Sequence, residues 1–259
     1  MKRLIPLLLA ASLLAGCATT TSPTGRRQYV GGVSQSQLDQ MGAQAFAEAK
    51  AKEKIDTDPK QNAYVRCVVD ALVARLPAQW RSTRWETALF VDAEPNAFAL
   101  PGGKVGVNTG IFTVARNQDE LAAVLGHEIG HVVSHHHDER ITRQMNAQIG
   151  VSLLGALLGS GYGQLGSEGA GVYLLRNTRE QEAEADVVGQ RLMADAGFDP
   201  SKAVDLWQNM MAAGGARQPQ WLSTHPDPEN RIRTLRNDAP ALMPVYAAAR
   251  QAGRVPHCR

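Results

Sequence analysis

Two histidines and a glutamate form the part of this 259-residue chain with the clearest chemical meaning. His127, Glu128 and His131 lie in an H-E-x-x-H sequence inside an apolar run. On a helix, residues four apart lie about 40° apart around the axis and one turn apart along it, so both imidazoles can bind one metal ion. Glu128 then projects close to whatever that ion holds. The pattern predicts a zinc peptidase helix; the alternative is a core helix with incidental histidines.

A catalytic zinc site needs three protein ligands and one open position. No further histidine follows at the short H-E-x-x-H-x-x-G-x-x-H spacing, so a carboxylate on a second helix is the alternative. Glu180, Glu182 and Glu184 are the candidates, and a capping-box sequence at Thr178 starts their helix. Glu182 and Asp186 share one helix face, so Asp186 could orient a ligand imidazole if Glu182 binds the zinc.

A β-hairpin is predicted before the H-E-x-x-H helix. Residues 85–91 have strand character, and 96–100 form a second short strand. A Pro-Gly-Gly turn at 101–103 then leads into residues 104–107, which are predicted to form the hairpin with 96–100. That second strand begins with Asn96, Ala97, Phe98 and Ala99. If it lies at a sheet edge, it could pair with an extended substrate through main-chain hydrogen bonds. The alternative is a purely structural hairpin.

The other histidines near the motif are interpreted by helical position. His136 follows His127 by nine residues, so a continuous helix would place it on the opposite face, where it cannot share the metal. His135 lies nearer the ligand face but two turns away, and it is not expected to bind metal. His137 and His257 are interpreted as surface residues.

The first residues resemble a lipoprotein signal. A charged start, a short apolar core and small residues before Cys17 are typical of a secretory signal, and the core is too short to span a membrane. Leu14-Ala15-Gly16-Cys17 resembles the lipobox of bacterial lipoproteins. This implies removal of residues 1–16, acylation of Cys17 and, because Ala18 follows, anchoring to the outer membrane. The alternative is an ordinary signal peptide with an incidental cysteine.

Composition predicts how the chain after residue 16 is organised. Residues 17–33 are rich in Thr, Ser, Pro and Gly and are predicted to be an unpacked tether. Residues 34–259 are enough for one metallopeptidase domain with its own core. Loss of Lys2 and Arg3 leaves 25 basic side chains against 25 acidic ones. Such a balance gives no electrostatic footprint for nucleic acid.

Two cysteines would remain after acylation, Cys67 and Cys258. In an oxidising compartment an even number suggests a disulfide. Cys67 lies opposite the apolar stripe of a helix predicted from Pro59 to Leu76, so it does not fill the main core. A disulfide is predicted, and the alternative is two unpaired thiols under local cover.

An uncharged stretch follows the zinc helix. Residues 144–167 contain no charged side chain and several glycines. The stretch is predicted to form helices that cover the core beside the site; the alternative is a mobile lid or membrane-contacting flap.

The two motifs together resemble the gluzincin family that contains HtpX and the CaaX prenyl proteases, and in particular its periplasmic lipoprotein, BepA-like branch. In that family H-E-x-x-H is paired with E-x-x-x-D, whose glutamate, here Glu182, binds zinc. Further matches are Asn96-Ala97-Phe98-Ala99, Pro101-Gly102-Gly103, Thr224-His225-Pro226, Arg231 and His136. The resemblance implies a zincin-like α+β fold, mainly α, with a small β-sheet beside the H-E-x-x-H helix. It also implies one Zn²⁺ per chain, bound by His127, His131 and Glu182.

The resemblance implies a function as well. The expected activity is that of a zinc metalloendopeptidase, with Glu128 as the general base for a zinc-activated water. Its substrates would be unfolded or misassembled envelope polypeptides in the periplasm, and outer-membrane assembly machinery is a partner by analogy. In BepA-like relatives the histidine matching His225 can approach the zinc, as an inhibitory fourth ligand or an oxyanion donor. The alternative is a helix-entry residue.

Two other functions compete with a peptidase. The domain could be a chaperone or assembly factor for outer-membrane proteins with a mainly structural zinc, but Glu128 and Glu182 are both present. A lipoprotein whose histidine-rich helix captures metal would not explain the E-x-x-x-D helix.

Overall fold

The computed structural model of the chain describes residues 18–146, 177–213, 221, 225 and 228–259. The predicted signal peptide, Cys17 and most of the apolar segment 144–167 lie outside them. Within the described residues the protein is mainly helical with two small β-sheets, so the predicted α+β, mainly α class is confirmed. No helix in this part of the chain is long and apolar enough to cross a lipid bilayer.

The N-terminal sheet is a β-hairpin of two antiparallel strands, β1 (Ala18–Thr21) and β2 (Arg27–Val30). In the turn between them Gly25 has a φ of +87°, which glycine adopts without strain. The side chain of Gln28 is fully buried against the body of the protein. The prediction of an unpacked tether over residues 17–33 is therefore wrong for this stretch, because its Thr, Ser and Gly residues build a packed hairpin.

The remaining elements follow in the order α1 (Gln35–Lys52), α2 (Pro59–Val73), α3 (Ala78–Arg81), β3 (Glu86–Phe90), β4 (Ala97–Leu100), β5 (Lys104–Asn108), a 3-10 turn (Thr109–Thr113), α4 (Gln118–Val133), α5 (Arg179–Ala196), α6 (Lys202–Ala213) and α7 (Pro228–Gln251). A further helical segment covers 136–146. Asn117 caps α4 by accepting from two N–H groups of the first turn. Thr178 and Gln181 form the predicted capping box at the start of α5.

The second sheet has the strand order β3-β5-β4, with β3 parallel and β4 antiparallel to the central β5. β4 and β5 form the predicted hairpin, in which Ala97 lies opposite Val107. Gly106 is needed in β5 because an added Cβ would lie 2.1 Å from the ring of Phe98. Among the described strands β4 has a partner on one side only, so it is an edge strand.

Helix α4, which carries the H-E-x-x-H sequence, is buried along nearly its whole length. Four of its large apolar side chains expose none of their surface: Leu121, Val124, Leu125 and Ile129. The helix packs against α2, α5, α6 and β4. A helix that is apolar on most of its faces is stable only when surrounded in this way. The metal-binding motif is therefore held in the best-packed part of the molecule.

Helix α7 is the longest of the described helices and continues to Gln251. It passes Pro240 and Pro244, which each remove a backbone hydrogen bond. Both prolines are exposed, so water can satisfy the carbonyls they leave unpaired. Alanines around them favour the helix.

A disulfide joins Cys67 on α2 to Cys258 in the C-terminal tail, with Cα atoms 5.5 Å apart. The same tail contacts the start of α4. There Gln118 donates to the carbonyl of Pro256 and accepts from the N–H of Cys258. The tail thus connects the second helix of the domain to the metal-binding one.

Candidate metal centre

The two helices that carry the predicted ligands approach closely because small residues line their contact. Gly126 on α4 faces Gly189 on α5, and Gly130 lies against Ala185. A Cβ added to Gly189 would lie 2.7 Å from backbone atoms of α4. No side chain larger than hydrogen fits there without moving the helices. Close packing of α4 and α5 brings Glu182 next to the two histidines.

Four buried side chains converge between these helices. His127, His131, Glu182 and His225 each offer one nitrogen or oxygen, and these atoms lie within 4.8 Å of one another. The Nε2 atoms of His127 and His131 are 3.0 Å apart. Carboxylate oxygens of Glu182 lie 3.3 and 3.4 Å from those two nitrogens, and His225 Nδ1 lies 2.9 Å from Glu182 Oε2. The structure thus brings the three predicted ligands together with His225.

The atoms of this group suit a zinc ion. Glu182 Oε1 is buried, and no hydrogen-bond donor among the described residues reaches it. Ring nitrogens of His127, His131 and His225 lie 2.9 to 3.4 Å from the two oxygens of this carboxylate. Buried acceptors that face one another are costly unless a proton or a cation lies between them. Two imidazoles and a carboxylate are a donor set typical of catalytic zinc.

Glu128 lies beside the group without belonging to it. Its Oε1 is 3.5 Å from His225 Nε2, and Trp221 Nε1 donates to the same oxygen at 3.4 Å. Trp221 is almost completely buried, and its ring lies 4.7 Å from that of His225. The carboxylate of Glu128 is therefore fixed in direction by an indole N–H.

Asp186 and Arg231 contact two of the predicted ligands, His127 and Glu182. Asp186 Oδ1 lies 3.0 Å from His127 Nδ1, the arrangement expected of a carboxylate that orients a ligand imidazole. Arg231 donates to both oxygens of Asp186 at 2.6 Å and lies 2.7 Å from Glu182 Oε2. Its guanidinium also stacks over Trp207 at 3.8 Å. One buried cation thus contacts two buried carboxylates and partly offsets their charge.

Burial and the neighbouring charges set the pKa values of the ligands. Burial lowers the pKa of His131 well below its ordinary value. Burial and Arg231 would lower the pKa of His127, but hydrogen bonds with Asp186 and Glu182 raise it to about 9. Burial would raise the pKa of Glu182, but His225 and Arg231 lower it well below its ordinary value. A metal ion at His127 therefore competes with a proton.

His136 is not on the far side of the helix as predicted. Helix α4 ends at Val133, and His135 has a φ of +54°, so the chain changes direction before the segment 136–146. An extrapolation of 100° per residue from His127 fails across this break. His136 is completely buried, and its Nδ1 lies 2.7 Å from Nδ1 of His131.

Two surface predictions for histidines have different outcomes. His257 is exposed. The prediction for His137 is wrong: the side chain is partly buried, and burial lowers its pKa well below the ordinary value. The same change of direction at His135 turns His137 inward. His135 itself packs on the ring of Trp80, with centroids 5.3 Å apart.

The sequence patterns gave no role to Arg231 or Trp221. Both residues act through contacts between residues far apart in the chain, and no local pattern marks such partners. Arg231 was noted only as a match to the resembled family.

The matched family and relatives agree with this geometry. The model of Peptidase family M48 matches residues 59–239, which include both metal-binding helices. The mitochondrial metalloendopeptidase OMA1 of Schizosaccharomyces pombe is 41% identical over 155 residues, covering 59% of this chain and 46% of the relative. The beta-barrel assembly-enhancing protease of Escherichia coli K12 is 29% identical over 218 residues, covering 80% and 44%. The chain spans about half the length of the curated relatives it matches.

The predicted gluzincin relationship, with a BepA-like branch, is confirmed by these matches. A match that covers most of the chain and both helices of the metal centre settles the classification. The chain belongs to peptidase family M48.

Proposed function

We propose that the protein is a zinc-dependent metalloendopeptidase. The observation that carries the proposal is the position of Glu128 next to four converging ligand atoms. Relatives named as a metalloendopeptidase and as a protease support it. Trp221 Nε1 and His225 Nε2 lie beside the buried carboxylate of Glu128 and hold it next to the ligand atoms, a position that suits a chemical role.

His127, His131 and Glu182 would hold the zinc, and Asp186 would fix the orientation of His127. When bound, zinc polarises a peptide carbonyl and lowers the pKa of water. Glu128 takes a proton from the attacking water at Oε1 and delivers it to the leaving amine. The indole of Trp221 keeps that oxygen directed at the centre.

His225 is proposed as an alternative occupant of the open position. Its Nδ1 belongs to the ligand group, and its Nε2 lies 3.5 Å from Glu128. As a fourth ligand it would hold the enzyme inactive until it moves away. As an oxyanion donor it would stabilise the developing charge. Replacement of His225 by Ala should raise turnover in the first case and lower it in the second.

The edge strand β4 is the proposed substrate-binding element. Its edge from Asn96 to Ala99, which no other described strand pairs with, can pair with an extended polypeptide through main-chain groups. Main-chain pairing depends little on the side chains of the substrate, so it suits unfolded or misassembled polypeptides. By analogy with the assembly-enhancing relative, we propose substrates from the bacterial envelope. Acylation of Cys17 would place the enzyme in the periplasm on the outer membrane.

Glu128→Gln tests the proposal directly. The variant should keep its zinc, because Glu128 is not a ligand, and should cleave unfolded casein at least about 100-fold more slowly, because proton transfer is lost. Zinc content and turnover are measured together, with the exposed Glu53→Gln as a matched control. Unchanged turnover in Glu128→Gln would contradict the mechanism.

A further inference from the structure

A ligand imidazole needs a hydrogen-bond partner on its second nitrogen, and His127 and His131 have different kinds of partner there. A partner there fixes the ring orientation and the tautomer. For His127 the partner is the carboxylate of Asp186. The Nε2 of His131 faces Glu182, so its Nδ1 is the nitrogen left over. That Nδ1 meets another imidazole, His136, at 2.7 Å.

The direction of the hydrogen bonds follows from the groups at each end. His131 must keep Nε2 free for a metal, so its proton is on Nδ1 and is donated to Nδ1 of His136. His136 then carries its own proton on Nε2, which lies 3.1 Å from Glu184 Oε2. A carboxylate can only accept, so the chain of donors ends there.

The N-terminal hairpin holds this carboxylate. Arg26 Nε donates to Glu184 Oε2 at 2.8 Å, and Thr24 Oγ1 donates to Oε1 at 2.7 Å. The other edge of the Arg26 guanidinium, formed by Nη1 and Nη2, donates two hydrogen bonds to the carboxylate of Glu139, at 2.9 and 2.8 Å. Because its fork is planar, a well-packed Arg26 fixes Glu184 in position as well as in charge.

We propose that Arg26 and His136 are positioning residues for the metal centre, and that the N-terminal hairpin sets the orientation of His131 through Glu184 and His136. This inference rests on the proposed metal site and adds a part of the chain outside the residues 59–239 that define the family match. The hairpin would thus tune metal affinity without touching the metal.

Zinc affinity of the mature chain, measured by chelator competition, tests the proposal without any substrate. We expect His136→Phe, which removes the acceptor, to raise the Kd for zinc about 10- to 100-fold. His136→Asn can still accept from His131 and should recover part of the loss. Arg26→Ala should raise the Kd by a smaller factor, about 3- to 10-fold. In the cobalt-substituted protein the visible absorption band should shift in the same variants.

The matched control is Arg27→Ala, which removes the same charge from the exposed neighbouring residue at the start of β2. It should leave the Kd within about twofold. Circular dichroism verifies that each variant is folded, and Arg26→Lys replaces Arg26→Ala if the latter does not fold. A wild-type Kd and cobalt spectrum in folded His136→Phe and in the folded Arg26 variant would overturn the proposal. Cleavage by Glu128→Gln would instead overturn the proposed function, so the two failures are distinguishable.

Discussion

Single residues decide how closely the metal-binding helices approach. Glycine at position 189 leaves room for the backbone of α4, and the ligand distances depend on that room. The buried Arg231 has a comparable effect on charge, since its guanidinium contacts the carboxylates of Glu182 and Asp186 and reduces the repulsion between them. The centre is therefore sensitive to changes in residues that are not ligands.

Gly189→Ala is the residue-scale prediction. The new Cβ would meet α4 at 2.7 Å, so the helices must separate. Overpacking should cost about 1–3 kcal/mol, against a gain of up to about 1 kcal/mol in helix propensity. We expect a lower free energy of unfolding in urea and a weaker zinc affinity, because Glu182 moves away from the histidines.

Ala183→Ser, exposed on the same helix, is its control; it should lower the free energy of unfolding by no more than about 0.5 kcal/mol and leave the zinc affinity unchanged. A Gly189→Ala protein that is more stable and binds zinc as tightly as the wild type would contradict the prediction.

At the scale of elements, the hairpin and the turn after α4 support each other. Gln28 donates to the carbonyl of Ser134 at 2.6 Å, where α4 ends. The hairpin therefore satisfies a helix terminus and holds the change of direction that delivers His136. Neither the turn after α4 nor the docking of the hairpin was predictable from the sequence. The positive φ of a non-glycine residue such as His135 has no sequence signature, and the ion pairs of Arg26 join residues more than a hundred positions apart.

The docking of the hairpin predicts a dependence of stability on pH. Burial would raise the pKa of Glu139, but hydrogen bonds from Arg26 and Gln181 lower it below the ordinary value of 4.5. A carboxyl with a lowered pKa stabilises the fold at pH values above 4.5, and this contribution is lost as the pH falls further. Arg26→Ala should therefore lower the free energy of unfolding near neutral pH by about 1–3 kcal/mol.

The same variant should flatten the loss of stability below pH 4.5. Urea unfolding in the presence of a chelator, at neutral and at acidic pH, separates this effect from metal binding. A slope with pH identical to that of the wild type would show that the ion pair does not stabilise the hairpin.

At the scale of the whole molecule, much of the architecture was predictable from local patterns. The apolar periodicity of α4, the caps at Asn117 and Thr178, and the β4–β5 hairpin each follow from short-range rules, and the structure has them. What the patterns could not supply is long-range pairing: the packed N-terminal hairpin, the inward His136 and the role of Arg231. Such contacts depend on the tertiary arrangement, and no periodic pattern in the sequence indicates them.

The disulfide between Cys67 and Cys258 is expected to stabilise the molecule as a whole. It closes a loop of 191 residues that contains the entire metal centre. In the chain-entropy model such a loop contributes up to about 5 kcal/mol, by restricting the unfolded chain. The double variant Cys67→Ala, Cys258→Ala should melt at a clearly lower temperature in calorimetry. Zinc affinity at room temperature should stay close to that of the wild type. A melting temperature unchanged by the double substitution would mean that the bond is not formed or not stabilising.

The packed hairpin also determines how far the enzyme could reach from a membrane. A flexible tether over residues 17–33 would extend to roughly 55 Å and let the domain sample the space around it. Strand β1 instead begins at Ala18, so the folded body starts directly after Cys17. With the proposed acyl chains on Cys17, the metal centre would remain at a nearly fixed height above the lipid. Polypeptides held near the bilayer surface would then be cleaved in preference to those free in the surrounding space.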